Sequence, residues 1–131
     1  MVGFVDFASL KILVIDDQEF VRTIVRKMLG QLGVRSVLEA QDGASGLQEA
    51  VREVPDLVIC DVQMRPTDGF GFLKLLRSTP GVAHIPVILL TAHTDSATVS
   101  RAKDLDIGAF LAKPVLPPAL KEKIIRVLNR P

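Results

Sequence analysis

Asp16 and Asp17 stand side by side directly after the apolar run Ile12–Ile15, and Asp61 closes a second apolar run that begins at Leu57. A third run, Val87–Leu90, ends in Thr91, and a fourth, Ala109–Ala112, is followed by Lys113. Three carboxylates, a hydroxyl and an ammonium thus share one recurrent position, the residue just past an apolar segment. Two unit charges ~4 Å apart repel by roughly 4 kcal/mol at an effective dielectric of about 20, and three repel more. Such a cluster is sustained either by protonation of a carboxyl group or by a cation. Oxygen donors without a His or Cys cluster suit Mg²⁺, which keeps several waters and takes one or two carboxylates. A partly hydrated ion leaves room for a phosphate oxygen, and Lys113 and Thr91 would supply a positive charge and a hydrogen bond to the remaining oxygens. That is the equipment of phosphoryl transfer. Asp61 ends the central and most apolar run and is the candidate acceptor, aspartate being a phosphoryl nucleophile in covalent catalysis.

The elements that must position these residues follow from the apolar period. "KILVI" is a short run rich in β-branched residues, and Phe20, Val21, Ile24, Val25, Met28, Leu29 and Leu32 then recur at helical spacing before Gly33. The pattern repeats: "SVLEA" predicts a strand, "GASGLQEAVREV" a helix that Pro55 ends, and "LVIC" a third strand reaching Asp61. "MRPTDG" is a loop, and Asp68 is placed to cap the next helix. After the loop "STPGVAHIP" come a fourth strand "VILLT", a helix over "TDSATVSRAKDLD", a fifth strand "AFLA", and a last helix "PPALKEKIIRVL" with Pro117 and Pro118 in its first turn. Continuous apolar strands between amphipathic helices predict an α/β fold, a parallel sheet covered on both faces. In such sheets ligands bind beyond the carboxyl ends of the strands, where the strand order reverses. Residues 1–10 are expected to be an N-terminal extension, 11–128 one domain, and 129–131 a tail.

Composition restricts the function classes. With 131 residues, 48% of them hydrophobic and 24% charged, and a mean hydropathy of +0.34, the chain suits one folded domain rather than a disordered segment. A net charge of +1 provides no global attraction to nucleic acid or an anionic membrane. No apolar run reaches the length of a membrane span, the first ten residues lack the basic start of a signal peptide, and the single Cys60 forms no internal disulfide. These features predict a cytoplasmic protein. Cys60 itself is expected in the core, as are Phe70 and Phe72; His84 and His93 have no metal-ligand company.

Taken together, "IDD" after the first strand, "CDVQM" at the third, "LLTAH" at the fourth and "AFLAKP" at the fifth resemble the receiver domain of bacterial two-component response regulators, of the single-domain chemotaxis type. The resemblance runs from Lys11 to Leu128. It implies a flavodoxin-like (βα)5 doubly wound sheet of strand order 2-1-3-4-5, in which Asp61 accepts a phosphoryl group from the phosphohistidine of a sensor histidine kinase or histidine phosphotransferase. Asp17, Asp61 and the backbone carbonyl of Gln63 would ligate Mg²⁺ directly, and Asp16 through water. Thr91 and Lys113 would hold the phosphoryl oxygens, with Thr91 and Phe110 as the switch residues. The Lys113–Pro114 peptide would be cis, and His93 would lie where family members tune water access.

The family reading implies a signalling protein that catalyses only its own phosphorylation and dephosphorylation. Phosphorylation would change the surface formed by the helix of residues 94–106, the fifth strand and the last helix, and a downstream protein target would bind there. A monomer or weak dimer is expected, with no DNA-binding module and no membrane partner. Two departures from the pattern are visible: Arg65, followed by Pro66, stands where such receivers usually have Pro, and Phe110 lacks the hydroxyl of the common Tyr. The rival readings are a phosphorylation-independent interaction module of the same fold, and a haloacid dehalogenase-type phosphatase. The latter needs a second acid two residues after the nucleophile, where this chain has Gln63.

Overall fold

The computed structural model describes residues 5–92, 100 and 109–129. Five parallel strands form one sheet: β1 (Lys11–Ile15), β2 (Ser36–Ala40), β3 (Leu57–Asp61), β4 (Val87–Thr91) and β5 (Phe110–Ala112). Their order is β2-β1-β3-β4-β5, so the chain reverses its direction of travel across the sheet between β1 and β3. Among the described residues four helices accompany them, α1 (Glu19–Gln31), α2 (Gly43–Glu53), α3 (Gly69–Arg77) and α4 (Pro117–Leu128). Of the helix expected over 94–106, only Ser100 lies among the described residues. Among the described residues no helix is long and apolar enough to cross a membrane.

Every residue of β3 and β4 is buried, which is why these strands read as unbroken apolar runs rather than alternating ones. Alternate side chains supply two cores. Leu13, Ile15, Val58, Cys60 and Leu89 join α2 and α3 on one face, whereas Ile12, Val14, Ile59, Ile88 and Leu90 join α1 and α4 on the other. Before β1, a single 3-10 turn at Phe7–Ser9 lets Phe7 and Leu10 pack against the second core.

The apolar stripe expected on α1 is broader than the face the helix buries. Val25 and Leu29 are fully buried, but Phe20 is 64% and Ile24 46% exposed. At ~100° per residue, Phe20 and Ile24 lie about 140° and 100° around the helix from Val25, off the face turned to the sheet. Gly33, at φ +104°, ends this helix as its type suggests. In α2, Asp42 caps the first turn by accepting from the Ser45 N–H at 2.8 Å, and the same bond and the Ser45 hydroxyl hold its carboxyl below the usual range. The helix stops at Glu53, one residue short of the expected end. Val54 is the C-cap, in the left-handed region at φ +46°, and Pro55 after it disfavours continuing the helix. Asp68 caps α3 as expected, accepting from the Gly71 N–H at 2.8 Å.

Candidate functional site

Adjacent parallel strands bring their carboxyl ends to one edge, and the register decides what meets there. Ile15 pairs with Cys60, Asp61 with Leu90, and Thr91 with Ala112. The residues just past β1 and β5, together with the last residues of β3 and β4, therefore converge. Oxygen atoms of Asp16, Asp17 and Asp61 lie within 4.8 Å of one another. Asp16, Asp61 and Thr91 are 1%, 5% and 1% exposed, and they are the only buried polar residues among those described. Lys113 enters the same space: its Nζ is 3.0 Å from Asp61 Oδ1 and 3.5 Å from Asp16 Oδ2. Its backbone N–H donates to the Thr91 carbonyl at 2.9 Å, tying the two strand ends together.

The electrostatics show a carboxylate cluster partly offset by one ammonium. Burial pushes the Asp16 carboxyl up; the Gln18 N–H, which donates to Oδ1 at 2.9 Å, pulls it down, and the negative charge of Asp61 pushes it up again. Burial alone would lower Lys113, but its hydrogen bond and charge attraction to Asp61, with attraction to Asp16, outweigh it and hold the ammonium above its ordinary value. Lys113 is thus firmly protonated near neutrality. Asp16 Oδ2 is buried with no hydrogen-bond partner, and such a group carries a desolvation cost that a ligand removes. The donors are all hard oxygens, so this orphan and its neighbours fit a small hard divalent cation bound by Asp16, Asp17 and Asp61.

The loop after β3 places the remaining predicted residues. Gln63 is exposed two positions beyond Asp61, and Met64 folds back into the first core. Arg65 is exposed, and both the Arg65–Pro66 and Lys113–Pro114 peptides are cis. Phe110 is half-buried and meets Phe70 edge to face, with ring centroids 6.4 Å apart. Cys60 is fully buried, and burial raises its thiol well above the ordinary range, so it is inert packing beside the site. His84 is exposed in its loop, and His93 lies outside the described residues.

Two contributors were not apparent from spacing. Arg22 donates from Nη1 to the Asp16 carbonyl at 2.6 Å; in the sequence it is merely a polar residue beside an apolar stripe. Gly69 donates its N–H to the Val62 carbonyl at 2.8 Å, and a Cβ there would lie 2.5 Å from the Asp61 carbonyl oxygen and 2.9 Å from Val62 Cα. Both obstacles are backbone, so the loop must move for any side chain. Gly69→Ala is expected to cost about 1–3 kcal/mol by overpacking, a drop in the urea midpoint with unchanged slope, and to displace the Asp61 end of β3.

Comparison with known proteins agrees with this geometry. The sequence model described as the response regulator receiver domain matches residues 12–125. A probable chemotaxis protein CheY of Rhizobium etli is 36% identical over 121 residues, 92% of this chain and 94% of the relative. Chemotaxis protein CheY-3 of Vibrio cholerae is 30% identical over 122 residues, 93% of this chain and 94% of the relative. Among solved structures, CheY4 of Vibrio cholerae superposes with a TM-score of 0.84 at 30% identity, covering 90% of this chain and 98% of the other. A putative response regulator from Chloroflexus aurantiacus gives 0.85 at 29% identity, covering 92% and 98%.

Proposed function

The chain belongs to the response regulator receiver domain family, and from that premise we propose that Asp61 accepts a phosphoryl group from the phosphohistidine of a sensor histidine kinase or histidine phosphotransferase. A carboxylate oxygen of Asp61 forms the new O–P bond as the N–P bond of the donor breaks and its electron pair returns to the imidazole. Lys113, already 3.0 Å from Asp61 Oδ1, holds its ammonium against the charge that develops on the phosphoryl oxygens. Thr91, buried at the end of β4, donates its hydroxyl to another of them. Asp17, Asp61 and the Gln63 carbonyl, with Asp16 through water, would hold Mg²⁺, which would neutralise the carboxylates and the incoming phosphoryl group. Only Asp61 acts as nucleophile; the other residues orient and offset charge.

The observation that carries this reading is the ammonium of Lys113 seated against Asp61 beside a buried carboxylate oxygen of Asp16 that accepts no hydrogen bond. The output is a protein contact. Movement of Thr91 toward the phosphoryl oxygens frees space for Phe110 to turn inward, and the surface of β5 and α4 with the segment between β4 and β5 changes for a downstream target. The chemotaxis proteins among the relatives suit an output of that kind. Incubation with acetyl phosphate, with and without Mg²⁺, followed by intact mass and peptide mapping, tests the chemistry. A Mg²⁺-dependent phosphoryl adduct on Asp61 is expected; folded protein that gains no adduct from acetyl phosphate or a kinase donor sinks the reading and favours the phosphorylation-independent module.

A further inference from the structure

Arg22 takes no part in that chemistry, yet it grips the backbone at its centre. Its Nη1 donates to the Asp16 carbonyl at 2.6 Å and its Nε to Glu39 Oε1 at 3.2 Å, while its side chain is only 15% exposed. Glu39 is held in turn by Arg26, whose Nη1 lies 3.3 Å from Oε2. Glu39 precedes Ala40 on β2, and the Ala40 carbonyl accepts the Asp16 N–H at 3.1 Å. With Oδ1 taken by the Gln18 N–H, Asp16 is tethered through its amide, its carbonyl and one carboxylate oxygen. The oxygen left over is Oδ2, the orphan facing Lys113.

The carbonyl that Arg22 holds belongs to the peptide joining Asp16 to Asp17. That group is planar, so fixing its oxygen also fixes the direction in which the chain enters Asp17. Only a guanidinium can serve a carbonyl and a carboxylate from one rigid fork; an ammonium cannot reproduce that geometry.

We propose that Arg22 is a positioning residue for the cation site: drawn in by Glu39, it clamps the Asp16–Asp17 peptide and so sets the spacing of the carboxylates that bind the divalent cation. This rests on the reading of Asp16, Asp17 and Asp61 as a cation centre. The sign of one measurement separates the clamp from simpler roles. Were Arg22 only a nearby positive charge, its loss would leave the acid cluster more negative and tighten cation binding. Were it only packing, affinity would not change in folded protein. A clamp predicts weaker binding, because partners that orient metal ligands govern affinity by about 10–100-fold.

The test is the Mg²⁺ dissociation constant of the full chain, read from backbone amide shifts for the parent protein, Arg22→Met and Arg22→Lys. Arg22→Met is expected to weaken binding about tenfold. Arg22→Lys keeps the charge without the fork and is expected to lose most of the same affinity. At saturating Mg²⁺ the rate of phosphorylation by acetyl phosphate should return close to the parent's, since Arg22 does not face the phosphoryl group. Unchanged or tighter Mg²⁺ binding in folded Arg22→Met overturns the proposal; if that variant does not fold, unchanged binding in Arg22→Lys does so. Absence of Mg²⁺ shifts in the parent protein overturns the cation centre itself, and the clamp with it.

Discussion

Lys113→Met is expected to slow phosphorylation of Asp61 by acetyl phosphate about 10²–10³-fold, the usual effect of removing one pre-positioned charge stabiliser. The substitution keeps most of the apolar stem and deletes the ammonium 3.0 Å from Asp61 Oδ1. The same change should strengthen Mg²⁺ binding, because Lys113 is a fixed cation occupying the carboxylates' field and its removal leaves that field uncompensated. Slower transfer with tighter Mg²⁺ is a combination that misfolding does not produce. Mg²⁺-free stability should fall by about 1–2 kcal/mol, less than for a fully buried pair, since Lys113 is 23% exposed. The pH profile follows from the sign of its shift. A lysine whose folded-state value is raised above 10.5 contributes fully below that value and loses its contribution as pH rises through the folded value. The Lys113-dependent rate should therefore be flat across neutral pH. A titration of that rate between pH 6 and 9 in the parent protein, absent from Lys113→Met, would contradict the assignment.

The parallel sheet was legible because buried strands leave unbroken apolar runs. Four of the five strand ends, all but that of β2, carry the polar residues in an order that the 2-1-3-4-5 topology then gathers. The start of α1 was less so: no side chain caps it, Asp16 accepts the Gln18 N–H, and Asp17 stays exposed beside the acid cluster. Phe20 and Ile24 misled for a related reason. Periodicity records hydrophobicity, not which part of a wide apolar arc meets the sheet, and these two fall outside the contact. Val54 was read as the end of α2 although the following proline already disfavours the helical region there. Arg22 and Gly69 were hidden because their contributions lie in backbone contacts across elements: a carbonyl six residues back for Arg22, the Asp61 carbonyl for Gly69. Residue type can suggest an arginine or a glycine, but only the fold says what it approaches.

Asp16→Asn should make the Mg²⁺-free protein more stable and largely remove its response to Mg²⁺. Asn keeps the oxygen that accepts the Gln18 N–H and removes a charge that is buried, partly unpartnered and repelled by Asp61 and Asp17. Burial first, then those neighbouring carboxylates, raise the Asp16 carboxyl above 3.8 against the Gln18 and Lys113 interactions. The folded state therefore binds its proton more tightly than the unfolded chain, and stability conferred by that proton is lost as pH rises from about 3.8 through the folded value. The parent protein thus bears the full penalty at neutral pH, and the asparagine variant does not. A gain of about 1–2 kcal/mol is expected at pH 7, several degrees in melting temperature for a chain of this size, shrinking as pH is lowered toward 4. Saturating Mg²⁺ reverses the ranking: at about 100 times its dissociation constant a bound ion adds roughly 2.7 kcal/mol to the parent, which the variant, short one carboxylate of the cluster, mostly forgoes. Melting curves of both proteins at pH 4 and pH 7, with Mg²⁺ or EDTA, decide it. A variant less stable than the parent in EDTA at pH 7 would show that the Asp16 charge is already compensated without a metal, and the crowding of acids at the end of β1 would then need a different explanation.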